Sequence, residues 1–239
     1  MRKHVITAEA DLVVPSDSAV GESHPADANA KPESKFCRTF DLDNARRNQS
    51  KKFPAAHQQQ ALGKLRAWFQ SAARAPAAGA IVALPTGGGK TFTAVRFLCH
   101  GPLSQGYKVV WLAHTHHLLE QAYESFAPTD LNKASEIGVE VGLIAEPKSA
   151  LTMRVVSGTL GHFQPHMIQG SDDVIIVTLQ TLTRAWENRK LLRGLRDFFT
   201  AAGEKLFVVF DEAHHAPAAG YRALSPTCES IIPRCSCSV

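Results

Sequence analysis

Two short segments of this chain carry residue types whose order could act on a nucleotide. The first is Pro85-Thr86-Gly87-Gly88-Gly89-Lys90-Thr91, directly after the apolar run 80–84. Three successive glycines let a backbone turn tightly and aim its N–H groups at an anion, and a helix starting just beyond adds its positive end. Thr86, Gly87, Gly88 and Gly89 would form the cradle, Lys90 would reach the β- and γ-phosphates, and the Thr91 hydroxyl would ligate Mg²⁺. The strict pattern opens with glycine, where this chain has Leu84. The second segment is Asp211-Glu212-Ala213-His214, directly after the apolar run 206–210. Asp211 would hold Mg²⁺ and Glu212 would polarise an attacking water. Alone, the first could be a surface loop and the second an acidic turn. Together they imply ATP hydrolysis with Mg²⁺, with Lys90 and Glu212 as the catalytic pair.

Such residues need elements to position them. Short apolar runs at 80–84, 108–113, 139–144 (or 153–156), 173–177 and 206–210 read as buried strands. Helical spacing places Leu62, Leu65, Trp68, Phe69 and Ala72 on one helix. Amphipathic stretches follow at 91–99, 116–126 and 179–200. Strands alternating with helices predict an α/β fold, a parallel sheet with helices on both faces. In such a sheet the strands end on one edge, so the glycine loop and the acidic pair must share it.

Composition sets the outer limits. A chain of 239 residues with 44% hydrophobic content holds one α/β domain and a tail. The net charge of +4 equals the surplus within residues 31–52, where seven basic residues face three acids. That stretch could approach a nucleic acid, although most such arms are only solvated. Five cysteines, an odd number, argue against a disulfide scaffold. No apolar run approaches the roughly 18 residues that cross a bilayer, so no membrane partner is expected. No signal peptide is apparent, which leaves the cytoplasm, or the nucleus of a eukaryote. Residues 1–52 read as a mostly disordered N-terminal arm, 53–224 as the α/β domain, and 225–239 as an irregular cysteine-rich tail.

The glycine loop and Asp211-Glu212-Ala213-His214 together resemble the DEAD/DEAH-box superfamily 2 helicases and translocases, and three further segments stand in the matching order. Ala56-His57-Gln58-Gln59-Gln60-Ala61-Leu62 resembles the adenine-recognising segment, with Gln58 at its glutamine. Leu112-Ala113-His114-Thr115-His116-His117 resembles motif Ia, and Val177-Thr178-Leu179-Gln180-Thr181-Leu182 resembles motif Ib. The resemblance implies a P-loop NTPase of the RecA-like type, binding ATP and Mg²⁺. It also implies nucleic-acid contacts from His114, Thr115, Thr178 and Gln180, with DNA favoured over RNA. His116 and His117 stand where the family often has a charged residue; imidazoles still donate hydrogen bonds to phosphate. Tyr221-Arg222 after the acidic pair looks most like the branch of restriction-enzyme motor subunits and repair helicases. No further family motif follows, so the expectation is a domain incomplete at its C-terminus, lacking the second RecA-like domain that normally supplies the arginine finger, with little turnover by itself; a protein carrying that domain is a possible partner.

Other readings compete. The chain could be a nucleotide-dependent protein-interaction module, or a non-functional truncated gene product whose sheet lacks its next strand and exposes an edge. Histidines 114, 116, 117, 214 and 215, or Cys228, Cys235 and Cys237, could in principle ligate zinc. The spacing of the histidines fits no short zinc motif, and the cysteines lack a fourth ligand nearby.

Overall fold

The densest apolar runs become the centre of a sheet. The computed structural model describes residues 35–71, 79–158, 161–211 and 236–238. In chain order its elements are β1 (Cys37–Asp41), α1 (Leu42–Arg47), α2 (Ala56–Gln70), α3 (Lys90–His100), β2 (Lys108–Ala113), α4 (His116–Phe126), α5 (Leu131–Ile137), β3 (Ala150–Val156), β4 (Val174–Thr178), α6 (Leu179–Glu187), α7 (Arg189–Ala202), β5 (Leu206–Phe210) and β6 (Ser236–Ser238). The strand order is β1-β3-β4-β2-β5-β6. Every pairing is parallel except that of β1 with β3.

Alternation along the central strands explains why helices cover both faces. Val109, Trp111, Ala113, Val174 and Ile176 point into a core shared with Leu65 and Phe69 of α2, Val95 and Leu98 of α3, and Leu119 and Phe126 of α4. Their neighbours Val110, Leu112, Ile175 and Val177 point into a second core with Leu182 of α6 and Leu195 and Phe198 of α7. A strand buried on both faces must be apolar throughout, which is the sequence signature of β2 and β4. Among the described residues no helix is long and apolar enough to cross a membrane.

Several expectations change. Residues 80–84, expected to be a strand, have no regular secondary structure and pair with no strand among the described residues, although Ala80 and Val82 pack against the core. Residues 139–144 do not form a strand: Glu140–Leu143 is a short 3-10 helix, and the alternative 153–156 falls inside β3. The single helix expected over 179–200 is two. Asn188 leaves helical geometry (φ −105°, ψ 109°), and its side chain accepts from the Lys190 N–H to start α7.

Residues 37–47, expected to lie in the N-terminal arm, belong to the fold as β1 and α1. Phe36, Phe40, Leu42 and Ala45 are buried in the core, and the antiparallel register Cys37↔Arg154 ties the strand to β3. Sequence periodicity could not show this, since β1 buries little beyond Phe40. The irregular tail also contains β6, which pairs with β5 through Phe207↔Ser236 and so covers the edge expected to be open.

Candidate functional site

The register of the parallel strands fixes which residues meet. Leu112 pairs with Phe210, and Ala113 pairs with Thr178. The next residues along, His114 and Asp211, therefore emerge at the same carboxyl edge as Thr178. The Asp211 N–H bonds the Leu112 carbonyl at 2.8 Å, which fixes the acid at the end of the sheet.

The glycine loop is shaped for an anion by its backbone and braced from behind. Gly87 and Gly89 hold φ of 75° and 76°, a region other residues enter only with strain. A Cβ on Gly88 would stand 2.9 Å from the Pro85 carbonyl oxygen, and one on Gly89 would overlap the Gln58 amide. That crowding marks the brace. Gln58 Nε2 donates to the Gly88 carbonyl at 3.0 Å while its Oε1 accepts from the Ala55 N–H at 2.9 Å. His57 Nε2 lies 3.1 Å from the same Gly88 oxygen. Gly89 is the N-cap of α3, and the Thr93 hydroxyl closes the first turn on its carbonyl at 2.9 Å. The Gly88 and Gly89 carbonyls are thus held on the protein side by Gln58 and Thr93, and the Gly88 N–H closes the turn on the Pro85 carbonyl at 2.9 Å, which leaves the start of α3 as the end suited to an anion.

Lys90, Thr91 and Asp211 line one cavity of about 320 Å³, walled by 80–84 on one side and by Phe207, Val209 and Phe210 of β5 on the other. A lysine, a hydroxyl and a carboxylate beside a glycine cradle are the donor set a nucleotide triphosphate with Mg²⁺ requires. Thr86 and Gly87 are exposed on the rim. Glu212, His214 and His215 lie outside the described residues, as do Cys228 and Cys235.

A second cavity, of about 590 Å³, opens on the same edge. His114, His116, Gly158, Gln164, Thr178, Gln180, Thr181 and Arg184 are among its lining, with no carboxylate among the described residues there. Three of the four expected nucleic-acid residues therefore converge. The fourth, Thr115, is exposed but outside the lining; it caps α4, its hydroxyl accepting from the Leu118 N–H at 3.4 Å. Thr178 caps α6, accepting from the Thr181 N–H at 3.1 Å. Two helix N-termini thus border this groove, both suited to phosphate oxygens. Among the described residues no group of three or more His, Cys, Asp or Glu side chains is placed to hold a metal ion.

Sequence reasoning passed over Arg184, the groove's arginine, because it reads as an ordinary polar position on a helix. It also passed over His57, and over Phe53, which is 94% exposed five residues before Gln58. The signal for Phe53 was an aromatic next to a proline ahead of a helix with no apolar partner in sequence.

A mixed, mainly parallel sheet with a glycine-rich phosphate loop leading into α3, and an aspartate ending β5, defines a P-loop NTPase of the RecA-like, superfamily 2 helicase type. The chain belongs to the family of the type III restriction enzyme res subunit (ResIII), whose model matches residues 51–233. Its core is a helicase-type ATPase motor domain. A solved structure of a Dbp5 variant from S. cerevisiae bound to a Gle1 variant and IP6 aligns with 77% of this chain and 50% of that one. Its identity is 13% and its TM-score 0.34. The chain thus spans about half the length of that solved protein. No curated protein matches it.

Proposed function

We propose that this chain binds and hydrolyses ATP with Mg²⁺ in response to a nucleic-acid strand, DNA in preference to RNA. One observation supports the reading: the cavity lined by Lys90, Thr91 and Asp211, and a groove with no carboxylate among its described lining residues and two helix N-termini beside it, open on the same edge of one sheet. The family's description as a restriction-enzyme subunit favours DNA.

In this reading the glycine loop 86–89, the start of α3 and Lys90 hold the phosphates, and Thr91 and Asp211 hold the metal. Bound Mg²⁺ would offset charge on the β- and γ-phosphates. Glu212 orients the attacking water. Gln58, which already grips Gly88, links the adenine side of the site to the phosphate loop. Phe53 offers a ring face to the base. Arg96 of α3 supports that placement by donating to the Lys52 carbonyl at 2.6 Å, which holds the Phe53 segment against the phosphate-loop helix. His114, Thr178, Gln180 and Arg184 receive the nucleic-acid backbone, and Thr115 orders the first turn of α4.

ATP hydrolysis by the purified chain, measured with and without DNA and RNA beside a Lys90→Ala control, tests this. Turnover that rises with DNA and vanishes in the control is the expected result. Turnover indifferent to both polymers and to Lys90 would overturn it.

A further inference from the structure

Beside the groove, but not lining it, three polar side chains form a chain of hydrogen bonds that ATP chemistry does not use. Ser157 follows the last residue of β3, and its Oγ lies 2.7 Å from His162 Nδ1. His162 Nε2 lies 3.2 Å from Glu120 Oε1 on the second turn of α4. The His162 side chain is 1% exposed and Ser157 is buried, while the Glu120 side chain is 45% exposed. The Phe36 ring meets the imidazole edge-on at 4.7 Å, and the His116 ring lies 6.1 Å away.

The chemistry of the partners assigns the protons. A carboxylate only accepts, so Nε2 carries the hydrogen and donates to Glu120. In the neutral ring Nδ1 is then the acceptor, and the Ser157 hydroxyl donates to it. Burial depresses the imidazole's basicity and His116 adds to that, while Glu120 opposes it. The order Ser-His-Glu is that of an acyl-transfer triad, but a buried Ser157 cannot meet a substrate. The relay therefore holds rather than reacts.

What it holds is the groove. Gly158, next to Ser157, and Gln164, two residues past His162, line one side; His116, one turn before Glu120 on α4, lines the other. The backbone repeats the tie, since the Ser157 N–H bonds the Phe163 carbonyl at 2.9 Å and the Phe163 N–H bonds the Val155 carbonyl at 3.0 Å. We infer that His162 is a positioning residue for polynucleotide binding, clamping the chain beyond β3 onto α4 so that both lips of the groove keep the spacing a phosphodiester backbone needs. The inference rests on the reading of this groove as the nucleic-acid site.

The test compares Glu120→Ala, Glu120→Gln, His162→Ala and the Glu120→Ala/His162→Ala double variant. Readouts are oligodeoxythymidylate affinity by fluorescence anisotropy at pH 8 and ATP-analogue affinity. Both Glu120 variants remove the same negative charge near a polyanion, so any electrostatic gain is common to them. Only the glutamine keeps an acceptor for Nε2–H. Glu120→Ala should bind the oligonucleotide roughly three- to tenfold more weakly than Glu120→Gln, about the worth of one neutral hydrogen bond. The double variant should be no weaker than His162→Ala alone, and all variants should bind the ATP analogue like wild type. Equal affinity of the two Glu120 variants, or additive losses in the double variant, would overturn the clamp.

If the wild-type chain binds no oligonucleotide, the groove reading fails and the positioning role fails with it. Amide exchange of 161–164 then decides whether the tie itself exists. Faster exchange there in Glu120→Ala than in Glu120→Gln shows a tie without that role; equal exchange removes both.

Discussion

At the scale of single residues, the phosphate loop's shape depends on glycine at one position above the rest. Gly89 combines a left-handed φ of 76° with a Cβ position already taken by Gln58. Gly89→Ala should weaken ATP-analogue binding more than Gly87→Ala, whose Cβ meets open space and whose strain alone is about 1–2 kcal/mol. Isothermal titration of the two variants checks this. Phe53→Ala should weaken ATP binding but leave tripolyphosphate binding unchanged, because only the base loses a stacking partner. A third residue-scale prediction concerns Glu140, which lies 2% exposed with Arg96 Nη1 3.9 Å from its carboxylate. Burial pushes its carboxyl above the usual range, opposed in part by Arg96. The folded state therefore binds this proton more tightly than the unfolded chain does. Its contribution to stability is complete below the unfolded value of about 4.3 and declines as pH rises from there through the folded value. Glu140→Gln should flatten that decline and raise the melting temperature relative to wild type at neutral pH. A melting series from pH 4 to 8 measures both.

At the scale of elements, the edge of the sheet opposite the site is pinned by a buried ion pair. Arg154 of β3 donates from Nε and Nη2 to both Asp172 oxygens, at 2.8 and 3.0 Å, and the Gln169 N–H adds a third bond at 2.9 Å. Removing one partner leaves an uncompensated buried charge. Asp172→Ala should therefore cost about 3–5 kcal/mol in urea denaturation. ATP affinity of the fraction still folded should not change, since Asp172 precedes β4 and the site lies beyond its far end. This pair also marks where reading the sequence ran out. Runs such as Val174–Thr178 and Leu206–Phe210 were legible as strands because both faces are buried and no polar residue interrupts them. The run 80–84 has the same composition, yet it pairs with no described strand; composition reports burial, not hydrogen-bonding partner. Glu140–Leu143 tightened into a 3-10 turn although its residues alternate like a strand. The break at Asn188 was readable in principle, since asparagine caps helices through its side chain. Lys90, Thr91 and Asp211 do line one cavity, as motif order suggested, although the strand expected to deliver the glycine loop to the sheet edge is absent among the described residues. Arg184 and the Ser157–His162–Glu120 relay did not, because they depend on side chains that meet only once two layers have packed.

At the scale of the whole molecule, charge should govern how the groove holds its ligand. Arg184→Ala should weaken oligonucleotide binding to a similar degree across sequences and reduce the slope of log affinity against log salt by about 1, as expected for one lost phosphate contact. The placement of the layers carries a further consequence. Helix α3, which begins at the phosphate loop, packs directly on α4, and both lie on one side of the sheet. Helix α6, whose cap Thr178 borders the groove, lies on the other side. The groove thus lies between α4, which packs on the phosphate-loop helix, and α6 on the far face of the sheet. In the function proposed above, any shift of α3 on nucleotide binding would reach the groove through α4, while α6 ties the other lip to the far face.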